Sequence, residues 1–209
     1  KAKYKNTSET KIFVKNKVLF NLNNLKKYKK EVGEIDNVIV VEGYMDAISV
    51  YKAGVKNVVA SMGTSLTVSQ AKLLKRYTDR VTICYDGDSA GQKGAIRGLE
   101  ILKGEGLSVK IASIPNDDDP DDVINKYGVE RYKEIIKSAK SLEEFKLDII
   151  NNRYGEKSKL PDKNRLIDLS LNVIKECPSV SEQEELLKTL RDNTGITYES
   201  LKRDLDKSD

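Results

Sequence analysis

Four short apolar runs, each followed by a stretch of helical periodicity, constrain this chain more than any other feature of its sequence. Val38–Val41 reads VIVV, residues 57–60 read NVVA, 80–85 read RVTICY and 108–114 read SVKIASI. VIVV, short and without polar interruption, is the pattern of a strand buried on both faces, and the other three also read as strands. Helical stretches separate them: from about residue 44 to Gly54, from Thr67 to about residue 77, and from about residue 89 to 103, where Gly104 stops it. Thr67 and Gln70 form a T-x-x-Q capping box at the start of the second. A further helical stretch runs to about residue 140, and an earlier one covers about 18–32. Strands alternating with helices of this length predict right-handed βαβ units, hence an α/β fold with a mainly parallel sheet between helical layers.

The strand signal stops at Ser141. Residues 142–152, 164–176, 181–192 and 197–206 each read as an amphipathic helix, with Pro161, Pro178 and Gly195 as punctuation. A small all-helical subdomain is therefore expected over 141–209. The divisions predicted ahead of it are a basic segment at 1–35, an α/β domain at 36–118, and an acidic loop with a helical connection at 119–140.

Charge is distributed unevenly. Residues 1–30 hold ten lysines against a single acid, Glu9, for a net +9; the whole chain carries +4, so the remainder sums to −5. A basic block of this density suits a phosphate backbone, although a solvated lysine-rich face has the same composition. No apolar run approaches the roughly 20 residues of a membrane span, and no signal-like segment opens the chain. Histidine is absent, and Cys84 and Cys177 form no CxxC pair, so a structural zinc site is not expected. Buried free thiols in a reducing compartment are the expectation for both cysteines. A first residue of Lys1 rather than Met predicts a segment cut from a longer protein.

The acids mark where chemistry would sit. Open parallel sheets bind ligands beyond the carboxyl ends of their strands. Glu42 directly follows VIVV, Asp86 and Asp88 follow TICY, and Asp119 and Asp121 lie in an acidic run shortly after the fourth strand. Two bare carboxylates about 4 Å apart repel by about 4 kcal/mol at an effective dielectric near 20. Such a group needs protons or cations, and an all-oxygen donor set selects hard ions such as Mg²⁺ or Mn²⁺. Gly43 and Gly87 permit sharp turns beside these acids. Ser89 and Gly91 open a helix whose free N–H groups suit a phosphate. Taken singly, Asp88 reads as well as a helix cap, Asp46 as a first-turn acid and the acidic run as a solvated loop.

In order, E-G-Y-M-D (42–46), A-S-M-G-T (60–64), Y-D-G-D-x-A-G (85–91) and D-D-P-D (118–121) resemble the Toprim domain shared by bacterial primases, topoisomerases and some nucleases. The first and third have the form found in bacterial replicative primases. K-Y-x-N (3–6), E-T (9–10), I-F (12–13) and Lys15 resemble the stretch preceding Toprim in that family, and the helices after Ser141 resemble its third subdomain in arrangement. Two departures are conservative: the family often has Pro where Ser8 stands, and commonly Glu where Asp118 stands.

The resemblance implies a fragment of a cytoplasmic RNA-primer-synthesising enzyme of DNA replication, with residues 1–35 ending its N-terminal catalytic subdomain. It implies Glu42, Asp86 and Asp88 as metal ligands, with Asp46, Asp119 and Asp121 shaping the acidic site. One Mg²⁺ would activate the primer 3′-hydroxyl, and a second would hold the triphosphate. Lys3 and Lys15 would hold a single-stranded DNA template, Gly87, Ser89 and Gly91 would face nucleotide phosphates, and ribonucleoside triphosphates would be substrates. A replicative helicase would be met through a domain outside this chain. The alternative carried with this reading is a Toprim-type metal-dependent nuclease or small ribonuclease. A topoisomerase needs a far larger domain, a phage-style primase–helicase needs a Walker A motif, and a recombination-mediator protein needs a four-cysteine zinc site; the sequence has none of these.

Overall fold

The computed structural model describes residues 10, 14–62, 66–86, 89–115, 118–155 and 160–207. Two compact units divide the chain, Lys1–Ala139 and Lys140–Asp209.

The first unit is built on the four predicted strands, β1 Val38–Val41, β2 Val58–Ala60, β3 Arg80–Ile83 and β4 Ser108–Ile111. They form one sheet in the order β2-β1-β3-β4, parallel throughout, with Ile39 paired to Val58 on one side and to Thr82 on the other. Helices α1 (Leu22–Val32), α2 (Tyr44–Lys52), α3 (Val68–Lys75), α4 (Ser89–Gly104) and α5 (Pro120–Lys137) surround it. The order has a physical consequence: the chain leaves β1 towards β2 and then crosses back to β3. The carboxyl ends of β1 and β3 therefore flank the point where the winding reverses, where α/β sheets open a crevice.

Strand alternation sorts the core onto two faces. Ile39, Val41, Val58 and Ala60 pack with Ala47 and Val50 of α2 and with Val123, Tyr132 and Ile135 of α5. On the other face α4 approaches closely. A Cβ at Gly98 would lie 3.3 Å from Ile83 Cδ1 and 3.5 Å from Leu66 Cβ, and one at Gly94 would lie 3.5 Å from the Tyr85 ring. Each fully buried leucine here, Leu25, Leu74, Leu99 and Leu102 among them, contributes on the order of 1.5–3 kcal/mol.

Two departures from the sequence reading have clear causes. The helix expected from residue 18 begins only at Leu22. Phe20 instead pairs antiparallel with Ala60 (N–H to O distances 2.9 and 3.2 Å), and the Asn21 amide donates to the Val58 carbonyl at 2.9 Å. Pairing with an open strand outweighs local helix preference. In α5, Asp119 caps the start and Pro120 occupies the first turn, as their types favour. Gly128, at φ 84 and ψ 170, then interrupts the helix and turns its second half.

The second unit holds α6 (Leu142–Tyr154), α7 (Leu160–Lys175), α8 (Val180–Thr194) and α9 (Tyr198–Lys207). Ser141 and Glu144 form a capping box on α6, Ser179 caps α8, and Gly195 at φ 69 ends it. Leu147, Leu166, Ile174, Leu187, Leu190 and Leu201 form its core. Cys84 and Cys177 are free and buried, one in each unit. No helix among the described residues is long and apolar enough to cross a membrane.

Candidate functional site

Glu42 leaves β1 into a tight bend, and Gly43 caps α2. The Gly43 N–H donates to Asp46 Oδ2 at 3.0 Å, and a Cβ on Gly43 would sit 2.6 Å from that same oxygen. Closeness rather than unusual backbone angles demands glycine here: any side chain would displace Asp46. Across the bend, Met62, in a left-handed conformation at φ 65, donates its N–H to the Glu42 carbonyl at 3.0 Å. The segment leaving β2 is thereby tied to the segment leaving β1.

Three carboxylates from separate elements interact at this edge. Asp46 on α2 is 8% exposed. Burial first, then the neighbouring Asp119 at the head of α5 and Asp86 after β3, push its carboxyl up to about 7, against the pull of the Gly43 and Asp121 N–H groups. Asp46 thus holds its proton to a far higher pH than a normal aspartate. Asp119 Oδ1 accepts the Asp122 N–H at 2.7 Å, so this acid both caps α5 and faces the crevice. Burial, helped by the nearby Glu42 carboxylate, raises the Tyr85 phenol to about 12 despite the Ser61 hydroxyl 3.3 Å away. Behind Asp46 and Asp86, burial likewise raises the Cys84 thiol to about 12, and the fully buried Tyr132 stands beside it.

The other acids are engaged elsewhere. Asp121 accepts from the Ser49 hydroxyl on α2 and from the Asn125 amide at 3.0 Å, bonding α2 to α5. Asp118 and Asp122 share the Lys126 ammonium at 2.6 and 3.2 Å. Lys15 is half-buried in a single 3-10 turn, Lys15–Lys17. Lys3, Gly87 and Asp88 lie outside the described residues; Ser89 and Gly91 lie in the first turn of α4, where side chains are not described. Among the described residues no three acids converge tightly enough to grip one metal ion. The donor chemistry nonetheless suits a hard dication: all ligand atoms are oxygens, and Asp46 takes up a proton where no cation offsets its neighbours.

Sequence reading missed Ser49, which carries no motif and depends on packing between distant segments. It quoted Ser61, Met62 and Tyr85 within the motifs at 60–64 and 85–91 but gave them no role.

Residues 39–124 match the family described as Toprim-like. The DNA primase of Clostridium acetobutylicum is 41% identical over 216 residues, covering 100% of this chain and 35% of that protein. That of Halalkalibacterium halodurans is 36% identical over 208 residues, covering 98% and 34%. A solved DnaG catalytic core is similar at 31% identity with a TM-score of 0.67, over 96% of this chain and 64% of that one. A DnaG primase catalytic domain bound to ssDNA is similar at 31% identity with a TM-score of 0.68, over 91% and 61%. The chain spans about a third of the length of the curated relatives it matches.

Proposed function

Since this chain belongs to the bacterial DNA primase family, matching the segment that carries the Toprim-like domain, we propose that it is the metal-binding part of an enzyme joining ribonucleotides into short primers on single-stranded DNA. The observation that carries this reading is the meeting of Asp46, Asp86 and Asp119 at the switch point of the sheet, where burial first and the two neighbouring carboxylates second raise Asp46 to about 7. Glu42, Asp86 and Asp88 would hold Mg²⁺, with Mn²⁺ as a substitute. Divalent ions bound there supply the positive charge that offsets the transferring phosphoryl group.

The chain's own residues do the rest. The Gly43–Asp46 bond fixes the angle at which Glu42 leaves β1. Asp121 ties the head of α5 to α2, its carboxylate accepting from the Ser49 hydroxyl and its N–H meeting Asp46, so Asp119 stays beside Asp46. Gly87, Ser89 and Gly91 would offer N–H groups to the triphosphate. Lys3 and Lys15 meet template phosphates, a sequence-independent contact; the similarity to a primase solved with ssDNA supports a single-stranded partner. A helicase contact would be made by parts of the enzyme beyond this chain.

The test is incubation of the complete enzyme, and of this chain, with single-stranded DNA, ribonucleoside triphosphates and Mg²⁺ or Mn²⁺. Metal-dependent appearance of short RNA is expected. Cleavage of nucleic acid without synthesis would replace this reading with that of a Toprim nuclease.

A further inference from the structure

Three backbone carbonyls of the 15–18 segment point at two side chains of the α3 cap. Gln70 Nε2 donates to the Lys15 carbonyl at 3.2 Å and to the Val18 carbonyl at 2.8 Å, using both amide hydrogens. Thr67 Oγ1 donates to the Asn16 carbonyl at 2.6 Å. The same two residues cap α3: Thr67 N–H reaches Gln70 Oε1 at 3.0 Å, and Gln70 N–H reaches Thr67 Oγ1 at 3.3 Å. Gln70 is fully buried, whereas Lys17 is exposed and Lys15 half-exposed.

A capping box needs only an acceptor at its third helical position, and glutamate serves there as well as glutamine. The two carbonyls facing Gln70 Nε2 require a donor, which glutamate at neutral pH lacks. A three-residue 3-10 turn has little stability of its own.

We propose that Thr67 and Gln70 are positioning residues for the template, clamping the Lys15–Lys17 turn so that Lys15 meets the DNA backbone. The proposal rests on the reading above that Lys15 contacts single-stranded DNA. Gln70→Glu separates the two duties of the residue, because it keeps the cap acceptor and removes the clamp donors.

The experiment measures binding of a fluorescent oligodeoxythymidylate to this chain across a salt series for wild type, Lys15→Ala, Gln70→Glu, the double variant and Thr67→Ser. Loss of one phosphate contact lowers the slope of log K against log salt by about 0.7, equal to about fivefold in affinity at 0.1 M salt. Gln70→Glu and Lys15→Ala should each show that change, and the double variant should bind no more weakly than either, since both remove one contact. Thr67→Ser keeps every donor and should match wild type. Gln70→Met, which removes the donors without burying a charge, gives the same comparison should the carboxylate unfold the chain. A purely structural role would lower the thermal midpoint and leave the salt slope unchanged. If Lys15→Ala weakens binding while Gln70→Glu and Gln70→Met do not, or if the effects add, the clamp is refuted and the template reading stands. If Lys15→Ala changes neither affinity nor slope, the template reading fails and the clamp falls with it.

Discussion

Replacing Asp46 by Asn should stabilise the metal-free protein at neutral and alkaline pH while impairing its activity. Asp46 titrates at about 7 instead of 3.8, a rise of just over three pH units. At 1.36 kcal/mol per unit this is a penalty of about 4 kcal/mol once the folded carboxyl is forced to ionise. Because the folded pKa is raised, the penalty is absent below pH 4. It grows as the unfolded chain ionises, and is complete above pH 7. Wild type should therefore lose stability between pH 4 and 7. Asn keeps the oxygen that accepts the Gly43 N–H at 3.0 Å but carries no charge against Asp86 and Asp119, so it should recover roughly 2–4 kcal/mol at pH 8. At about 2–4 °C per kcal/mol the midpoint should rise by on the order of 5–10 °C. Thermal unfolding by circular dichroism in chelator, at pH 4.5 and pH 8, measures both quantities. Saturating Mg²⁺ should narrow the difference at pH 8 by stabilising wild type. A wild-type midpoint that is flat with pH in chelator, or an Asn variant less stable than wild type at pH 8, would refute the account of a crowded carboxylate site.

Asp86→Asn keeps shape and one acceptor but removes a charge that faces Asp46. Primer synthesis by the complete enzyme should fall by roughly a hundredfold or more, with no loss of metal-free midpoint; near-normal synthesis would exclude Asp86 as a metal ligand. Crystals soaked in millimolar Mn²⁺ should give anomalous peaks beside Glu42, Asp86 and Asp88, and peaks only elsewhere would remove the assignment. Gly128→Ala places a Cβ in open space but at φ 84, so about 1–3 kcal/mol should be lost by strain alone; unchanged denaturant midpoints would show that the break in α5 moves without cost.

The strands were readable because their signal is local. VIVV is too short and too apolar to be anything but a buried strand, and β1 is observed at Val38–Val41. The capping box at Thr67 and Gln70 was equally local, and both hydrogen bonds form. Placement of Glu42 and Asp86 at strand ends followed from the strands themselves. What could not be read depends on which surfaces meet. Ser49 has no motif, and its bond to Asp121 exists because α2 packs on α5, 72 residues apart in sequence. The burial that shifts Asp46 is likewise a property of three converging elements, whereas the sequence offers only an acid in a first turn. The start of α1 was misjudged for the same reason: 18–21 look helical until β2 presents an unpaired edge.

That edge bears on what else the sheet can pair with. A sheet margin with free N–H and C=O groups is a template on which other chains can add strands. At the β4 margin, Ser108 and Lys110 point outward to solvent, and a charged side chain there discourages such pairing. The β2 margin has no charge within Val58–Ala60, all three residues being buried and apolar. Its guard is Phe20, bonded to both polar groups of Ala60, together with the Asn21 amide on Val58. Residues outside the α/β repeat thus act as a stopper on that margin, and a shortened version of this domain must retain Phe20 and Asn21 to keep the β2 edge covered.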